Sequence, residues 1–191
     1  MTNKHYIAID TETGGLDPKR CALLSIACVS SRGPTFERLI YPPVGDVDAR
    51  AAEVNGYTAE GWIERGAAPL NEVMNQLMNW VFETAWADPE VQAEMVAHNA
   101  PFDQGFVREN MIRAGLRTRS KPWTCTKERL RKYLGKGYYE PGCKLDDLGR
   151  LSGYWDLHPR SEAHDALEDA KCCLHGMIWL DRENEQLNNF V

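Results

Sequence analysis

The chain has 191 residues, 43% apolar and 26% charged, with a formal net charge of -6. That is the make-up of an ordinary globular protein with enough length for one sizeable core. No apolar stretch reaches the roughly 20 residues that cross a bilayer, and the N-terminus lacks a signal peptide's apolar region, so a cytoplasmic location with no membrane partner is expected.

The first predicted element is a buried strand, His5-Tyr6-Ile7-Ala8-Ile9-Asp10-Thr11-Glu12-Thr13, an apolar run leading into the turn glycines Gly14 and Gly15. Residues two apart on a strand share a face, so the Asp10 and Glu12 carboxylates lie side by side. Their mutual repulsion is relieved by a divalent cation, and hard oxygen ligands suit Mg2+ or Mn2+. Leu23 to Ser31 and Thr35 to Tyr41 are expected as strands two and three, split by the turn Ser31-Arg32-Gly33-Pro34. Pro42 to Gly66 reads as loop-rich with at most a short helix, and leaves Tyr57 and Trp62 as candidates for stacking on unpaired bases. Pro69 to Ala87 carries Leu70, Val73, Met74, Leu77, Met78, Val81 and Phe82 at helical spacing.

Glu94 to His98 reads as a short strand and Phe102 to Ala114 as a helix ending at Gly115. Asp103 falls in that helix's first turn, close behind Asn99 and Pro101, where an acidic residue is also ordinary. Phe102 and Phe106, one turn apart beside Asp103, suit a base-stacking role and a core role equally. Pro122 to Cys125 is a last short strand, Lys127 to Leu134 and Lys144 to Leu151 are helices, and a final helix runs from Ala163 or His164 to about Asp181. Strands first and alternating helices later give an α/β domain with a mixed sheet. One domain is expected over residues 1–191, with its core at about 4–181 and a C-terminal tail at 182–191.

Basic residues gather between Arg108 and Lys136, including Arg113, Arg117, Arg119, Lys121, Lys127, Arg129, Arg131 and Lys132. Such a stretch can follow a phosphate backbone or simply be a solvated face. Cys21, Cys28, Cys125, Cys143, Cys172 and Cys173 contain no CxxC pair and read as free thiols. Zinc ligation by the last four with His175 lacks finger-like spacing.

The third acidic cluster is Arg160-Ser161-Glu162-Ala163-His164-Asp165-Ala166-Leu167-Glu168-Asp169-Ala170. At roughly 100° per residue, helical positions five apart diverge by about 140°. His164 and Asp169 therefore converge only if His164 stands on the loop before the helix. Asp165 shares a face with Asp169 at i, i+4 and competes with it as a ligand.

Asp10-Thr11-Glu12-Thr13 with Gly15-Leu16-Asp17, then Asn99-Ala100-Pro101-Phe102-Asp103, then His164-Asp165-Ala166 with Asp169-Ala170 resemble the three exonuclease motifs of the DEDDh (DnaQ-like) superfamily. This group includes the proofreading subunit of bacterial DNA polymerase III, ribonuclease T and oligoribonuclease. The motifs stand in order across almost the whole chain, and Val54-Asn55-Gly56-Tyr57-Thr58 and Leu145-Asp146-Asp147-Leu148 resemble the family's intermotif segments. The resemblance implies a ribonuclease H-like fold, a central five-stranded mixed sheet flanked by helices. It implies a 3'-5' exonuclease releasing nucleoside monophosphates with two divalent cations, Mg2+ or Mn2+ in its place. Asp10, Glu12, Asp103 and Asp169 would be the metal carboxylates and His164 the general base, a role suited to a side chain that titrates near neutrality. Thr13, Gly14, Gly15, Leu16 and Asn99 would hold the terminal nucleotide, with Leu16 wedged against its base; Trp62 and Phe102 are the further substrate contacts proposed.

Frayed or single-stranded DNA 3' ends are the favoured substrate, with a polymerase or repair partner or a homodimer as associated expectations. An exoribonuclease of the ribonuclease T or oligoribonuclease type is the alternative, since the same residues serve either sugar. A catalytically silent nucleic-acid-binding module is a lesser one, because it has no chemical need for four carboxylates and a histidine.

Overall fold

The computed structural model describes residues 4–86, 93–118, 122–136, 141, 143–159 and 164–188. Arg119, Lys121, Ala87, the glycines at 137 and 142, and the start of the third motif at Arg160 to Ala163 lie outside the described residues. The sheet has strand order β3-β2-β1-β4-β5. β1 (His5–Thr13) and β2 (Leu23–Ser30) are almost wholly buried, as strands covered on both faces must be. β3 (Thr35–Leu39) alternates between buried and more exposed residues at the sheet edge. β1 pairs antiparallel with β2, and β2 with β3 through the turn at Gly33, whose φ of 111° suits glycine.

β1 pairs parallel with β4 (Ala93–Ala97), and β4 with β5 (Thr124–Cys125). Parallel neighbours need crossovers. The first holds α1 (Ala49–Asn55), α2 (Ala59–Glu64) and α3 (Leu70–Val81); the second holds α4 (Ala100–Arg113). α5 (Thr126–Tyr133), α6 (Leu145–Leu151), α7 (Tyr154–Leu157) and α8 (Ala166–Asn188) follow.

The two faces of the sheet carry different cores. Odd-numbered Ile7 and Ile9 of β1 pack with Ile26 and Cys28 against Val73, Met74 and Leu77 of α3 and Phe106 of α4. Even-numbered Tyr6 and Ala8 pack with Ala27, Val29 and Val96 against Ala166, Ala170, Cys173, Leu174 and Met177 of α8. Leu130, Cys143, Leu148 and Leu180 join α5 and α6 to α8. That crossing is close: a Cβ on Gly176 would lie 2.4 Å from Leu148 Cγ.

A register shift interrupts β1–β2 pairing between Glu12, opposite Ser25, and Thr13, opposite Leu23. Leu24 is thus the extra residue of a bulge. The alternation of β2 breaks there: Leu23 joins the Ile26 and Cys28 face, while Leu24 packs with Ala22, Leu39 and Trp62.

Three expectations about element bounds change. The segment expected as loop-rich holds α1 and α2; α1 buries none of its residues, so apolar periodicity does not reveal it. α3 closes at Val81 into a wider turn, Phe82–Trp86, which puts Ala85 in the core and leaves Phe82 61% exposed. α8 continues past Asp181 to Asn188 because Arg182, Glu183, Glu185 and Gln186 are good helix formers.

Asp181 ties α8 to β1 and α5. Its Oδ2 accepts a hydrogen bond from the Tyr6 hydroxyl, and its Oδ1 accepts one from Arg129 Nη2 at 2.7 Å. Burial pushes the Asp181 carboxyl up, but the Tyr6 and Arg129 bonds outweigh it and leave the pKa below the usual carboxylate value. Replacing Asp181 by Ala strands a mostly buried guanidinium and should cost roughly 2–4 kcal/mol in urea melts. The wild-type bonus is present above the ordinary carboxylate pKa and fades as pH falls through the lowered one, so acidification from about pH 5 to 3 should destabilise wild type more than D181N.

Candidate active site

Asp10 and Glu12 share the even-numbered face of β1, which is the face that α8 covers. Ala8, Ala27, Ala170 and Cys173 separate strand from helix with small side chains, so α8 sits close and its first turns reach the end of β1. His164 precedes α8, as the helical geometry requires. One ligand atom each from Glu12, His164 and Asp169 lies within 4.8 Å of the others. His164 Nδ1 is 3.7 Å from Asp169 Oδ2, with His164 half exposed and Asp169 buried. Asp10 and Asp103 lie outside that group.

Asp165 lies outside that group too and caps α8. Its Oδ1 accepts the backbone N–H groups of Leu167 at 2.9 Å and Glu168 at 3.1 Å, the N-cap bonds that start α8.

Asp103 enters from the opposite layer. Asn99 takes a left-handed conformation, φ 76°, and turns the chain from β4 into α4, with Ala100 and Pro101 starting the helix. Asp103 is 3% exposed, and its Oδ1 accepts a hydrogen bond from Thr11 Oγ1 at 2.8 Å. Thr11 lies between the two acids on β1 and points the other way, so it meets α4. Burial drives the Asp103 carboxyl up to about 7, against the Thr11 hydrogen bond. The buried carboxylates of Glu12 and Asp169 with the His164 imidazole are a donor set that a divalent cation fits. Its charge would offset the burial cost of Asp103 and hold it ionised.

Beneath these acids runs a polar chain that the motifs do not announce. Cys143 O can only accept, so His98 Nε2 donates to it at 3.0 Å, and His98 Nδ1 accepts from Thr126 Oγ1 at 3.0 Å. The Thr126 oxygen in turn receives the Cys173 thiol at 3.5 Å. Burial lowers the His98 pKa to about 4, so the ring is neutral. Burial also raises the Cys173 thiol, helped by the charges of Asp10 and Asp103 nearby. Sequence places His98 at a strand end and Cys173 among the free thiols and does not single out Thr126; their linkage needs the parallel β4–β5 pair.

The turn after Glu12 is tightly built. Thr13 Oγ1 donates to Gly15 O at 2.7 Å, and Asn55 Nδ2 at the end of α1 donates to Thr13 O at 2.8 Å. Gly14 and Gly15 are buried, whereas Leu16 at the tip is 84% exposed. Trp62 departs from expectation. It is 3% exposed, its Nε1 donates to Leu24 O at 2.9 Å, and Tyr57 packs edge-on against it, so it is a core residue unavailable to a base. The same Leu24 carbonyl also accepts the Ile40 N–H at 2.8 Å. Phe102 is partly buried against the core, its ring 5.0 Å from fully buried Phe106.

Two members of the basic stretch are also committed elsewhere: Arg129 to Asp181, and Arg113 to backbone carbonyls. Among the described residues no cysteine joins a metal-ligating group; Cys172 Sγ bonds Leu145 O and His175 Nε2 bonds Ser152 O.

The family model described as the 3'-5' exoribonuclease Rv2179c-like domain matches residues 5–178. The chain belongs to this family. It thereby falls within the DEDDh, DnaQ-like exonucleases, and its sheet is the ribonuclease H-like one. A PolC-type DNA polymerase III from Streptococcus suis is 30% identical over 156 residues, 80% of this chain and 9% of that protein. Ribonuclease T from Marinobacter nauticus is 30% identical over 122 residues, 58% of this chain and 54% of that enzyme. The chain thus spans about a tenth of the PolC-type relatives and about half of ribonuclease T. Among solved structures, the nuclease domain of 3'hExo bound to rAMP superposes with a TM-score of 0.70 at 14% identity, covering 95% of this chain and 92% of that domain. E. coli exonuclease I in complex with a dT13 oligonucleotide gives 0.72 at 16% identity, over 98% of this chain and 43% of that one. At such identities the likeness is one of fold.

The geometry separates two aspartates that the sequence leaves level. Asp165→Ala should cost about 1 kcal/mol of stability through the lost cap and leave Mn2+ binding intact. Asp169→Ala should weaken Mn2+ binding, read by calorimetry, with little loss of stability. Equal Mn2+ losses in the two variants would assign both carboxylates to the ion.

Proposed function

We propose that this chain is a divalent-cation-dependent 3'-5' exonuclease that trims single-stranded 3' ends, RNA ahead of DNA, and releases nucleoside 5'-monophosphates. The convergence of Glu12, His164 and Asp169 beside the exposed Leu16 turn carries the reading. A cluster of acids and an imidazole next to an apolar projection suits a phosphodiester at the end of a strand, with its base resting on the projection.

In the reading proposed, Asp10, Glu12 and Asp169 hold the cations and Asp103 completes their shell. Bound there, Mg2+ or Mn2+ would stabilise the charge on the scissile phosphate and on the departing oxygen. His164, half exposed on the segment before α8, is free to swing toward a water and take its proton. The water oxygen bonds to phosphorus as the bond from phosphorus to the 3'-oxygen breaks. The shortened strand keeps a 3'-hydroxyl. Leu16 and the backbone of Thr13 to Gly15 seat the terminal nucleotide, with Asn99 at the mouth of α4.

RNA is placed first because the family that spans residues 5–178 is described as exoribonuclease, in contrast with the DNA preference expected from sequence. DNA ends are the second reading, supported by the PolC-type relatives and by the exonuclease I complexes with DNA oligonucleotides. A polymerase partner belongs to that second reading.

Matched 5'-labelled RNA and DNA oligonucleotides, single- and double-stranded, should shorten stepwise from the 3' end with Mg2+ or Mn2+ and not in EDTA. Single-stranded RNA should be the fastest, and faster DNA digestion would reverse the order of the two readings. Asp10→Ala should abolish cleavage without unfolding the chain. His164→Ala should slow turnover by about 10²–10⁴-fold and retain Mn2+ binding; loss of both together would make His164 a ligand rather than the base.

A further inference from the structure

The Leu16 turn is anchored from outside by a residue that no exonuclease motif contains. Arg113, in the last turn of α4, directs its guanidinium into the loops around that turn. Its Nη1 donates to Cys21 O at 3.2 Å, to Val44 O at 2.8 Å and to Asn110 Oδ1 at 3.3 Å. Its Nη2 donates to Pro18 O at 3.2 Å and to Lys19 O at 2.6 Å. Asn110 is fully buried and held by Phe106 O, so it aims the guanidinium. A guanidinium has donors only, and these bonds occupy its outer nitrogens on protein.

The loops it grips form one unit. Gly14 N donates to Ala22 O at 2.8 Å, Asp48 N to Gly14 O at 2.7 Å, and Asp46 N to Arg20 O at 2.8 Å. A Cβ on Gly14 would lie 2.4 Å from Asp46 O, and one on Gly15 2.6 Å from Cys21 Sγ. Leu16 projects from this unit into solvent. α4 therefore touches the site at both ends, with Asp103 in its first turn and Arg113 in its last, about 15 Å apart along the axis.

We propose that Arg113 is a positioning residue that uses α4 as a strut, fixing the Leu16 turn at a set distance from the carboxylates so that the terminal base and its scissile phosphate are held together. The proposal rests on the nuclease reading above. Misplacement of a bound group by about 1 Å costs as much as 10²-fold in rate, so a slack turn has a kinetic signature. A lysine keeps the charge but offers one nitrogen where the guanidinium spreads its bonds over two, Nη1 to Val44 O and Nη2 to Lys19 O.

The test compares wild type, R113A and R113K on a short 5'-labelled oligonucleotide, with Mn2+ calorimetry, thermal melts and amide hydrogen exchange across residues 14–21. R113A should lower kcat/KM by about tenfold, within the positioning range just given, mostly through a raised KM and with unchanged Mn2+ affinity. Exchange at 14–21 should quicken, and R113K should recover only part of the loss. An unchanged KM beside a lowered Tm overturns the proposal and leaves Arg113 a scaffold residue. A raised KM whose dependence on salt is shallower by about one counterion overturns it too, because Arg113 would then be binding phosphate. If wild type digests no oligonucleotide at all, the nuclease reading has failed. Faster exchange in R113A would then mark a clamp with no nucleotide to position.

Discussion

The layer between α8 and the sheet contains Ala8, Ala27, Ala170 and Cys173, none with a side chain longer than two heavy atoms, beside the larger Tyr6, Val29, Leu174 and Met177. Asp169 lies on the same helix, one turn before Cys173. The small residues let the helix bring that carboxylate close to the end of β1. A larger residue at any of these positions would wedge the helix outward and separate Asp169 from Glu12, since packed interiors do not absorb added volume without strain. The charges gathered there repel one another. What holds them together is apolar contact several residues away, reinforced at the far end of the helix by Tyr6, Arg129 and Asp181.

The opposite layer contributes through a hydroxyl. Thr11 stands between two acids of the other face and reaches Asp103, so β1 carries groups directed to both sides of the sheet within three residues. β1 and β4 run parallel and finish at the same edge, where helices that follow such strands present their first turns and ligands commonly bind. Asp103 thus meets β1 near its end, through Thr11. Below, His98, Thr126 and Cys173 join the ends of β4, β5 and α8 with every polar group in the chain of bonds used. Burial keeps the His98 ring neutral, so one nitrogen donates and the other accepts.

Much of this was readable from spacing. Period-two alternation put Asp10 and Glu12 on one face, and the helical angle put His164 outside α8. Both depend on local geometry alone. Asp165 and Asp169 looked equivalent because the face of a helix does not say where the helix begins; two backbone N–H groups decide it. Trp62 was misread for a related reason. Its segment has no apolar period, and its burial follows from packing on Ala22, Leu24 and Leu39 and from its bond to Leu24 O, contacts that composition does not show. Arg113 looked like one more cation in a basic run, since a charge count cannot distinguish a side chain facing solvent from one facing the carbonyls of loops nearly a hundred residues earlier.

The bulge has a wider consequence. Up to Glu12, the parity of β1 is locked to the core: moving either acid to the other face would also turn Tyr6 and Ala8 out of their layer. Past Glu12 the register with β2 slips by one residue, and the turn answers more to its own loops and their clamps than to the sheet. The acid-bearing end of β1 is therefore tied to the hydrophobic core, and its carboxylates cannot change face without disturbing that core. The Leu16 turn lies beyond the register slip, where its shape is set by loop contacts that the core does not dictate.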